Sequence, residues 1–366
     1  MWKKTILFSI TYYKPYVSGL TICVQRLAEK FTGQVVCIKH DQNLKDREEI
    51  GGVEVYRAKP LVKISKGWLS WEWPGLTKNL VREADVVVVN LPQFEGFIPA
   101  IWAKLGEKRL VVIYHCEVET DNWLVKKALG LGNWISLKLA DKIIVYTRDY
   151  AINSPELKPF LYKTEEIYPP IPDVIPGKIN VGGDYDYLVG MAARLAKEKG
   201  VEYLIEAIPE IEKGLNSKKI KIVIAGPTDP VGEEKYKQKI LTLVRKYSSR
   251  VELLGTLNEK EMAAFYKTID VLAVPSVDKT EAFGMVQVEA MKQGTPVVAS
   301  DLPGVRVPIQ KTGMGKLVAP KNSHELALAI VEVLKNKERY RSFLEDPKII
   351  FSAEDSYAKY RSVFYS

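Results

Sequence analysis

Two carboxylates eight positions apart flank a Phe-Gly step in this 366-residue sequence. They are Glu281 and Glu289, and they follow an apolar run at residues 271–275. The pattern predicts a buried strand, a tight loop and a helix from about residue 284 to residue 293. Such a helix start directs backbone N–H groups and a partial positive charge at a diphosphate, whereas a carboxylate beside it accepts hydrogen bonds from hydroxyl groups. The stretch therefore favours the binding of a sugar nucleotide.

The same spacing also has a purely structural interpretation. Acidic residues are common in the first turn of a helix, so Glu281 fits a capping charge and Glu289 fits a solvated helix face. Eight helical residues span about 12 Å, which is the scale of a nucleoside-diphosphate sugar. The spacing alone leaves both interpretations open.

The stretch resembles the E-x7-E motif of retaining GT-B glycosyltransferases of family 4, the "group 1" enzymes. Residues 193–200 are similar to the G-R-L-x-x-x-K-G segment of that family, with Ala193 where Gly is usual. Further segments of the family pattern follow in the expected order at residues 224–226, 254–256 and 294–300. Five segments in order are a far more specific signal than one E-x7-E.

The resemblance implies the GT-B fold, in which two Rossmann-like doubly wound domains face each other across a cleft. Apolar strands that alternate with amphipathic helices predict the same α/β class independently. We expect an acceptor-side domain at residues 1–172, a Pro- and Gly-rich linker at 173–184 and a sugar-nucleotide-binding domain at 185–349. By analogy with GT-B proteins, a helix at about 350–366 packs back onto the first domain.

The resemblance also implies roles for residues of the second domain. Glu281 would contact the donor sugar and Glu289 the ribose, while Arg194 and Lys199 would neutralise the diphosphate as it departs. The other residues expected to bind the donor, through backbone N–H groups or as part of loops around the base, are Gly226, Thr256, Phe283, Gly284 and Met285. The base stays open between uridine, guanosine and adenosine.

Two residues of the first domain match the family at the donor site. Gly19 opens the first helix, although Ser18 replaces the first of two glycines that are usual there. His115 follows a predicted strand and matches the histidine that hydrogen-bonds the donor sugar in this family. An isolated histidine is more often structural, which is our interpretation of His40 and His324.

The acceptor side is less defined. One of Glu117, Glu119 and Asp121, just beyond His115, could orient an acceptor hydroxyl or act as its base.

Trp71 and Trp73 lie in a Trp-rich segment at residues 67–75, preceded by Lys63 and Lys66. This composition fits a glycan site, a membrane-interface contact or ordinary packing, and an amphipathic stretch from Trp123 could face the same way. The predicted acceptor is accordingly a glycan or a lipid-linked molecule.

The implied reaction is hexosyl transfer with retention, without a cofactor. We prefer front-face attack, in which the leaving phosphate takes the acceptor's proton, because no catalytic nucleophile can be identified in the sequence. No metal is predicted, since the D-x-D at Asp184-Tyr185-Asp186 precedes a strand and fits a solvated linker. The alternatives are a sugar-nucleotide epimerase or hydrolase on the same fold, and a non-catalytic binding module.

Composition excludes other classes of protein. The net charge of +8 is spread without a basic block, so a nucleic-acid partner is not expected. Three widely spaced cysteines predict reduced core thiols and a cytoplasmic protein. Because no apolar run approaches the roughly 20 residues that span a bilayer, any membrane contact would be peripheral, at the cytoplasmic face and through the first domain.

Overall fold

The computed structural model describes residues 4–64, 67–119, 122–217, 219–228 and 232–366. The chain divides into two compact units, Met1–Pro170 with Ala353–Ser366, and Ile171–Ser352. The sequence prediction put this division at residue 172. Each unit is built around its own sheet.

The N-terminal unit alternates strands with helices. Its strands are β1 Ile6–Ser9, β2 Gln34–Ile38, β3 Arg47–Ile50, β4 Val53–Ala58, β5 Val62–Ile64, β6 Gly67–Leu69, β7 Val86–Leu91, β8 Arg109–Tyr114, β9 Lys142–Val145 and β10 Thr164–Glu166. Its helices up to β10 are α1 Gly19–Phe31, α2 Trp73–Glu83, α3 Phe97–Leu105, α4 Trp123–Leu139 and α5 Arg148–Asn153, with a 3-10 helix at Lys158–Lys163.

Eight of these strands form one sheet in the order β10-β9-β8-β7-β1-β2-β4-β3. All neighbours are parallel except β3, which pairs antiparallel with β4 at one edge. The central strand β7 has the sequence Val-Val-Val-Val-Asn-Leu and is buried throughout, because helices cover both faces of a doubly wound sheet. Strands β5 and β6 form a separate antiparallel pair.

The C-terminal unit repeats this architecture with six strands. They are β11 Tyr187–Ala192, β12 Ile220–Ala225, β13 Val251–Gly255, β14 Val271–Val274, β15 Val297–Ser300 and β16 Gly315–Val318. The helices are α6 Val201–Glu206, α7 Ile208–Leu215, α8 Glu234–Lys246, α9 Glu259–Thr268, α10 Met285–Lys292, α11 Val307–Thr312, α12 Ser323–Lys335, α13 Lys337–Arg341 and α14 Pro347–Ile350, with a 3-10 helix at Lys197–Lys199.

The C-terminal sheet is entirely parallel in the order β13-β12-β11-β14-β15-β16. Its apolar side chains divide between two cores, one on each face. One face packs against α6, α7 and α12, and the other packs against α9 and α10. The predicted α/β class, with two doubly wound sheets, is confirmed.

The predicted linker is fixed along the C-terminal unit. The Lys292 ammonium on α10 donates to the carbonyl oxygen of Ile171 at 2.7 Å and forms an ion pair with Asp173 at 3.0 Å. The amide of Gly177 donates to the carbonyl oxygen of Lys260 at 2.8 Å. The first part of the segment is therefore bound to α10 and α9.

The last helix, α15 Ala353–Tyr365, belongs to the N-terminal unit. Its Phe364 ring packs edge-on against Phe8 and Phe31, with centroids 6.0 and 5.3 Å apart. Arg109 of β8 donates to the carbonyl oxygen of Val363 at 2.9 Å. Within the described part of the chain, no helix combines the length and the apolar character that crossing a membrane requires.

Candidate functional site

The sheet of the C-terminal unit has one place where neighbouring strands continue in opposite directions. Strands β11 and β14 are parallel neighbours, but β11 leads to β12 on one side and β14 leads to β15 on the other. The carboxyl ends of β11 and β14 are therefore a topological switch point, and doubly wound sheets bind ligands at such points. The loop after β11 carries Arg194 and Lys199, and the loop after β14 carries Glu281.

Lys199 and Glu281 meet at this point although 82 positions separate them. The Lys199 ammonium forms an ion pair with Oε2 of Glu281, and both side chains are partly exposed. The other carboxylate oxygen, Oε1, accepts a hydrogen bond from the Gly284 amide at 3.0 Å. Glu281 thus links the loop after β11 to the start of α10, where its hydrogen bond from the Gly284 amide is also that of a capping carboxylate.

Arg194 forms the second ion pair of this loop. Its Nη2 lies 2.5 Å from Oε1 of Glu198, whose side chain is almost completely buried. The Glu198 carbonyl oxygen accepts from the Val277 amide at 3.0 Å. Gly200 has φ of 66°, and a Cβ there would lie 2.1 Å from the Pro275 carbonyl oxygen. The two loops are therefore bound to each other, and each cation faces a carboxylate.

The predicted helix after the Phe-Gly step is α10, which begins at Met285. Gly284 precedes it with φ of 74°, a left-handed conformation that favours glycine. The Phe283 ring is buried and packs edge-on against Phe351 at 5.8 Å between centroids. The Phe283 side chain is therefore part of the core and does not face a ligand. Buried Gln287 holds the turn by donating to the Phe283 carbonyl oxygen at 3.1 Å.

Glu289 lies on α10 and is partly exposed. Its Oε2 accepts a hydrogen bond from the Tyr266 hydroxyl on α9 at 2.8 Å. The carboxylate is therefore oriented by a neighbouring helix, which its interpretation as a solvated helix face did not predict.

Two further predicted donor residues follow strands of the same sheet. Gly226 follows β12 with φ of 141°, and a Cβ there would lie 2.3 Å from the carbonyl oxygen of Ala193. Only glycine fits this close approach to the loop after β11. Thr256 follows β13 and is exposed. Both lie at the carboxyl edge of the sheet, as Arg194 does.

In the N-terminal unit, Gly19 is the first residue of α1. Ser18 caps this helix: its hydroxyl accepts from the Thr21 amide at 3.2 Å, and the Ser18 amide donates to the Thr21 hydroxyl at 2.7 Å. Ser18 therefore supplies an N-cap where the family usually has glycine.

His115 lies at the carboxyl end of β8 in a buried hydrogen-bond network. Its Nε2 is 2.9 Å from Oδ1 of Asn90, and its Nδ1 is 2.5 Å from the Tyr146 hydroxyl. The Asn90 amide group donates to the Ser9 carbonyl oxygen at 3.0 Å, which leaves Oδ1 to face the ring. The ring proton therefore lies on Nε2, and Nδ1 accepts from Tyr146.

Both ring nitrogens of His115 are thus occupied inside the N-terminal unit. Burial lowers the pKa of His115 to about 3, so the imidazole is neutral at physiological pH. Neither nitrogen remains for a sugar hydroxyl. The ring joins the ends of β7 and β8 to Tyr146, and the predicted contact between His115 and the donor, which would exchange one of these hydrogen bonds, stays a prediction.

The acceptor-side candidates are dispersed. The Glu117 amide donates to the Tyr150 hydroxyl at 2.7 Å, and Oε1 of Glu117 is buried without a hydrogen-bond partner. Glu119 forms an exposed ion pair with Lys126 at 2.9 Å. The predicted Asp121, like Lys66 of the Trp-rich segment, lies outside the described residues.

The two tryptophans of the acceptor prediction differ completely. Trp71 is 82% exposed, whereas Trp73 is 0% exposed and its indole N–H donates to the Glu95 carbonyl oxygen at 3.1 Å. A side chain with no exposed surface offers no face to a sugar. Trp73 is therefore corrected to a core residue, and Trp71 alone stays available.

Sequence reasoning missed Glu95, which lies in the loop after β7. Its carboxyl is largely buried and accepts from the Ser70 amide at 3.2 Å, and burial raises its pKa to about 7. It also missed Glu198 and Tyr266, the partners of Arg194 and Glu289. The one available signal for Glu95 was its position after a buried strand.

The carboxylates of the D-x-D have separate partners. Asp184 forms an ion pair with Lys219 at 2.6 Å, and Asp186 accepts from the Ser217 hydroxyl at 2.8 Å. Strand β11 begins directly afterwards at Tyr187. Over the residues that the structure describes, no group of three His, Cys, Asp or Glu side chains is arranged to hold a metal ion.

The chain is similar to a known protein family and to individual glycosyltransferases. The family model described as Glycosyl transferases group 1 matches residues 179–347. An uncharacterized glycosyltransferase of Methanocaldococcus jannaschii is 35% identical over 153 residues, which are 42% of this chain and 37% of that protein. Phosphatidyl-myo-inositol mannosyltransferase of Mycobacterium leprae is 34% identical over 145 residues, 39% of this chain and 36% of that protein. The chain thus spans little more than a third of these relatives' length.

Solved structures match both units. Sucrose-phosphate synthase of Thermosynechococcus elongatus has a TM-score of 0.77 at 20% identity, over 99% of each chain. Anabaena Alr3699/HepE, solved in complex with UDP-glucose, also has a TM-score of 0.77, at 18% identity over 98% of this chain and 99% of that one. At such identities the likeness shows the fold alone, which is that of GT-B glycosyltransferases.

Proposed function

Residues 179–347 form a domain of the glycosyl transferases group 1 family, and on that premise we propose that the chain transfers a hexose from a nucleoside-diphosphate sugar to a hydroxyl acceptor with retention. The observation that carries this proposal is the contact between Lys199 and Glu281. It brings a cation suited to the diphosphate and a carboxylate suited to sugar hydroxyls together at the carboxyl ends of β11 and β14.

Donor binding would exchange the partners of these charges. Lys199 leaves Glu281 and Arg194 turns from Glu198 towards the diphosphate, whose charge exceeds that of one carboxylate. Glu281 is then free to accept hydrogen bonds from the donor sugar. Its second oxygen stays on the Gly284 amide, which keeps the carboxylate in place during the exchange.

Bond making and bond breaking would occur on one face of the sugar. The bond between the anomeric carbon and the phosphate oxygen breaks, the acceptor oxygen bonds to the same carbon, and the departing phosphate takes the acceptor's proton. Arg194 and Lys199 stabilise the charge that develops on the phosphate. These two side chains supply the positive charge that a metal ion supplies in other transferases, so metal independence is part of the proposal.

Glu289 would bind the ribose, since Tyr266 already orients its carboxylate. The backbone amide of Met285 would face the phosphates from the start of α10, while the Gly284 amide holds Glu281. The base remains open between uridine, guanosine and adenosine, and the complex of Alr3699/HepE with UDP-glucose supports a nucleotide-sugar donor.

The acceptor would be a glycan or a lipid-linked molecule, and we place the reaction in the cytoplasm. None of the three cysteines forms a disulfide, and burial raises the pKa of Cys23 to about 11 and of Cys37 to about 12. These thiols are buried and protonated, as expected of a reducing compartment. Cys116 is only partly buried and so is not the core thiol that was predicted.

The test is slow hydrolysis of a panel of UDP-, GDP- and ADP-hexoses in the presence of EDTA, followed by NMR. We expect one donor to release its diphosphate, and the freed sugar to appear first in the anomeric configuration of the donor. Glu281→Ala should abolish release, whereas Lys197→Ala, which changes an exposed lysine after β11, should not.

Three results would contradict parts of this proposal. Dependence on manganese would overturn metal independence, and a trapped glycosyl-enzyme would overturn front-face attack. Binding of every nucleotide without turnover, even with acceptors added, would favour the non-catalytic module.

A further inference from the structure

Helix α4 of the N-terminal unit has an outer face that is apolar and basic. Its buried residues Gly132, Asn133, Ser136 and Leu137 lie on the inner side. The large apolar side chains of the outer side are exposed as follows: Trp123 62%, Leu124 59%, Leu131 61% and Trp134 45%. At 3.6 residues per turn, these four residues fall within an arc of about 100°, together with Lys127 and Lys138. Such an arc is one continuous surface.

The charge on this helix is entirely positive. Residues 123–139 contain Lys126, Lys127 and Lys138 and no Asp or Glu. Lys126 is paired with Glu119. The ammonium groups of Lys127 and Lys138 lie over the rings of Trp123 and Trp134, 4.9 and 4.8 Å from the centroids. Two positive charges therefore accompany the exposed tryptophans.

The surface continues beyond the C-terminus of α4. The Lys163 ammonium donates to the carbonyl oxygens of Lys138 at 2.9 Å and Ala140 at 2.8 Å. This contact holds the 3-10 helix Lys158–Lys163 against the end of α4 and places Tyr162, which is 82% exposed, beside it. A third aromatic side chain thus joins the same edge of the unit.

We propose that this α4 surface, formed by Trp123, Leu124, Lys127, Leu131, Trp134, Lys138 and Tyr162, docks onto an anionic lipid bilayer. Helices that lie in a membrane interface combine a Trp- and Leu-rich face with lysines that reach the headgroups. Each lysine near an anionic membrane surface raises the affinity for that surface roughly fivefold. Every charged residue on α4 is a lysine, so all the charges of the helix favour this binding. The proposal goes beyond glycosyl transfer and does not depend on it.

Two other occupants fit the surface less well. A glycan would stack on exposed ring faces, but Trp123 and Trp134 each have a lysine over the ring, and leucines offer a sugar no hydrogen bond. A second copy related by a twofold axis would bring the lysines of both α4 helices together. An anionic bilayer has the complementary charge and accommodates the apolar side chains.

The test is co-sedimentation of the full chain, without donor, with vesicles of phosphatidylglycerol and phosphatidylcholine in equal parts or of phosphatidylcholine alone. We expect binding to the mixed vesicles to be at least about tenfold tighter. Trp123→Ser/Trp134→Ser should weaken it about tenfold or more, and so should Lys127→Glu/Lys138→Glu. All of these side chains are exposed, so the thermal midpoints should stay unchanged.

The matched controls lie on other helices. Leu105→Ser removes an exposed leucine from the end of α3, and Lys235→Glu/Lys246→Glu makes the same charge change on α8. Both should bind within about twofold of the parent chain, since only their place in the fold differs. Equal losses in controls and α4 variants would overturn the proposal, as would failure of the parent chain to bind the mixed vesicles. A dimer in light scattering that Trp123→Ser/Trp134→Ser dissociates would assign the surface to a second copy.

Discussion

The polar residues at the carboxyl edges of the two sheets differ in charge and in exposure to solvent. In the C-terminal unit, Lys199 and Glu281 form a charged and partly exposed pair between two loops. In the N-terminal unit, Asn90, His115 and Tyr146 form a neutral, buried network at the ends of β7, β8 and β9. Both groups of residues lie at or beyond the carboxyl ends of parallel strands, so they occupy equivalent places in the two sheets.

The two edges differ in the free energy needed to exchange these partners for a charged ligand. An ion pair near water can exchange its partner at low cost, because solvent screens the intermediate state. Opening a buried network leaves donors and acceptors without partners and costs about 1–3 kcal/mol for each. We therefore expect the C-terminal edge to act on the donor directly and the N-terminal edge to act through its rigidity.

The largest expected effect is that of Glu281→Ala, which should lower kcat of transfer about a thousandfold. The nucleoside diphosphate itself should still bind within about threefold, because the carboxylate serves the sugar. Glu289→Ala should do the reverse and weaken nucleotide binding about tenfold, since it removes the predicted ribose contact. Steady-state kinetics and calorimetric titration of the diphosphate measure both. An equal loss of nucleotide affinity in the two variants would contradict this division of roles.

Lys199→Ala should lower kcat/KM about a hundredfold, because one of the two cations that face the diphosphate is lost. Lys197→Ala is the matched control, two positions away and exposed. Its kcat/KM should stay within about twofold of the parent value. If both lysines matter equally, general electrostatic attraction explains the effect and the pair with Glu281 does not.

His115→Gln should change transfer less than about tenfold, because both ring nitrogens of His115 are hydrogen-bonded within the N-terminal unit. Its clearer effect is on stability, because the folded pKa of about 3 lies below the unfolded value near 6.5. The unfolded chain binds the extra proton, so stability is complete above pH 6.5 and is lost as the pH falls towards 3.

Urea unfolding from pH 4 to 6.5 measures the contribution of His115 to the free energy of unfolding. As the pH falls over that range, the unfolding free energy of the parent chain should fall on the order of 3 kcal/mol more than that of His115→Gln. A thousandfold loss of transfer in His115→Gln would show that the network opens when the donor binds.

Glu95→Gln should have the smallest effect, with transfer at pH 6 within about twofold. The pKa of Glu95 is raised to about 7 against an ordinary value of 4.5, so the folded chain binds the extra proton between these values. The contribution of Glu95 to the unfolding free energy is complete below pH 4.5 and is lost as the pH rises to 7. Stability thus falls with rising pH because of Glu95, whereas it rises with pH because of His115.

Glu95→Gln removes the contribution of the Glu95 carboxyl to the unfolding free energy. After allowance for partial solvation, the change in unfolding free energy between pH 4.5 and 7 should therefore be smaller by roughly 1–2 kcal/mol. Glu83→Gln, on the exposed side of α2, should leave the slope unchanged. An unchanged slope in Glu95→Gln as well would show that Glu95 is solvated in solution.

Much of the fold and half of the candidate site were predictable because their signals are local. Long apolar runs marked the central strands, and the glycines that punctuate the strand ends marked the loops. The edge strand β3, with the sequence Arg-Glu-Glu-Ile, escaped prediction because a strand at the edge of a sheet carries charges in place of an apolar run. The E-x7-E spacing likewise lies within one loop and one helix.

The amino-acid sequence by itself determined the α/β class, the order of the motifs and the positions of Glu281, Glu289, Arg194 and Lys199 along the chain. Only the tertiary structure decided which other residues are exposed and which side chains form hydrogen bonds with each other. Trp71 and Trp73 are two positions apart, yet one is exposed and the other is core, because α2 begins at Trp73 and turns it inward. His115 finds its partners 25 and 31 positions away, on the strand β7 and just after β9. Burial and hydrogen bonding depend on what the sheet brings together, and spacing along the chain does not encode that.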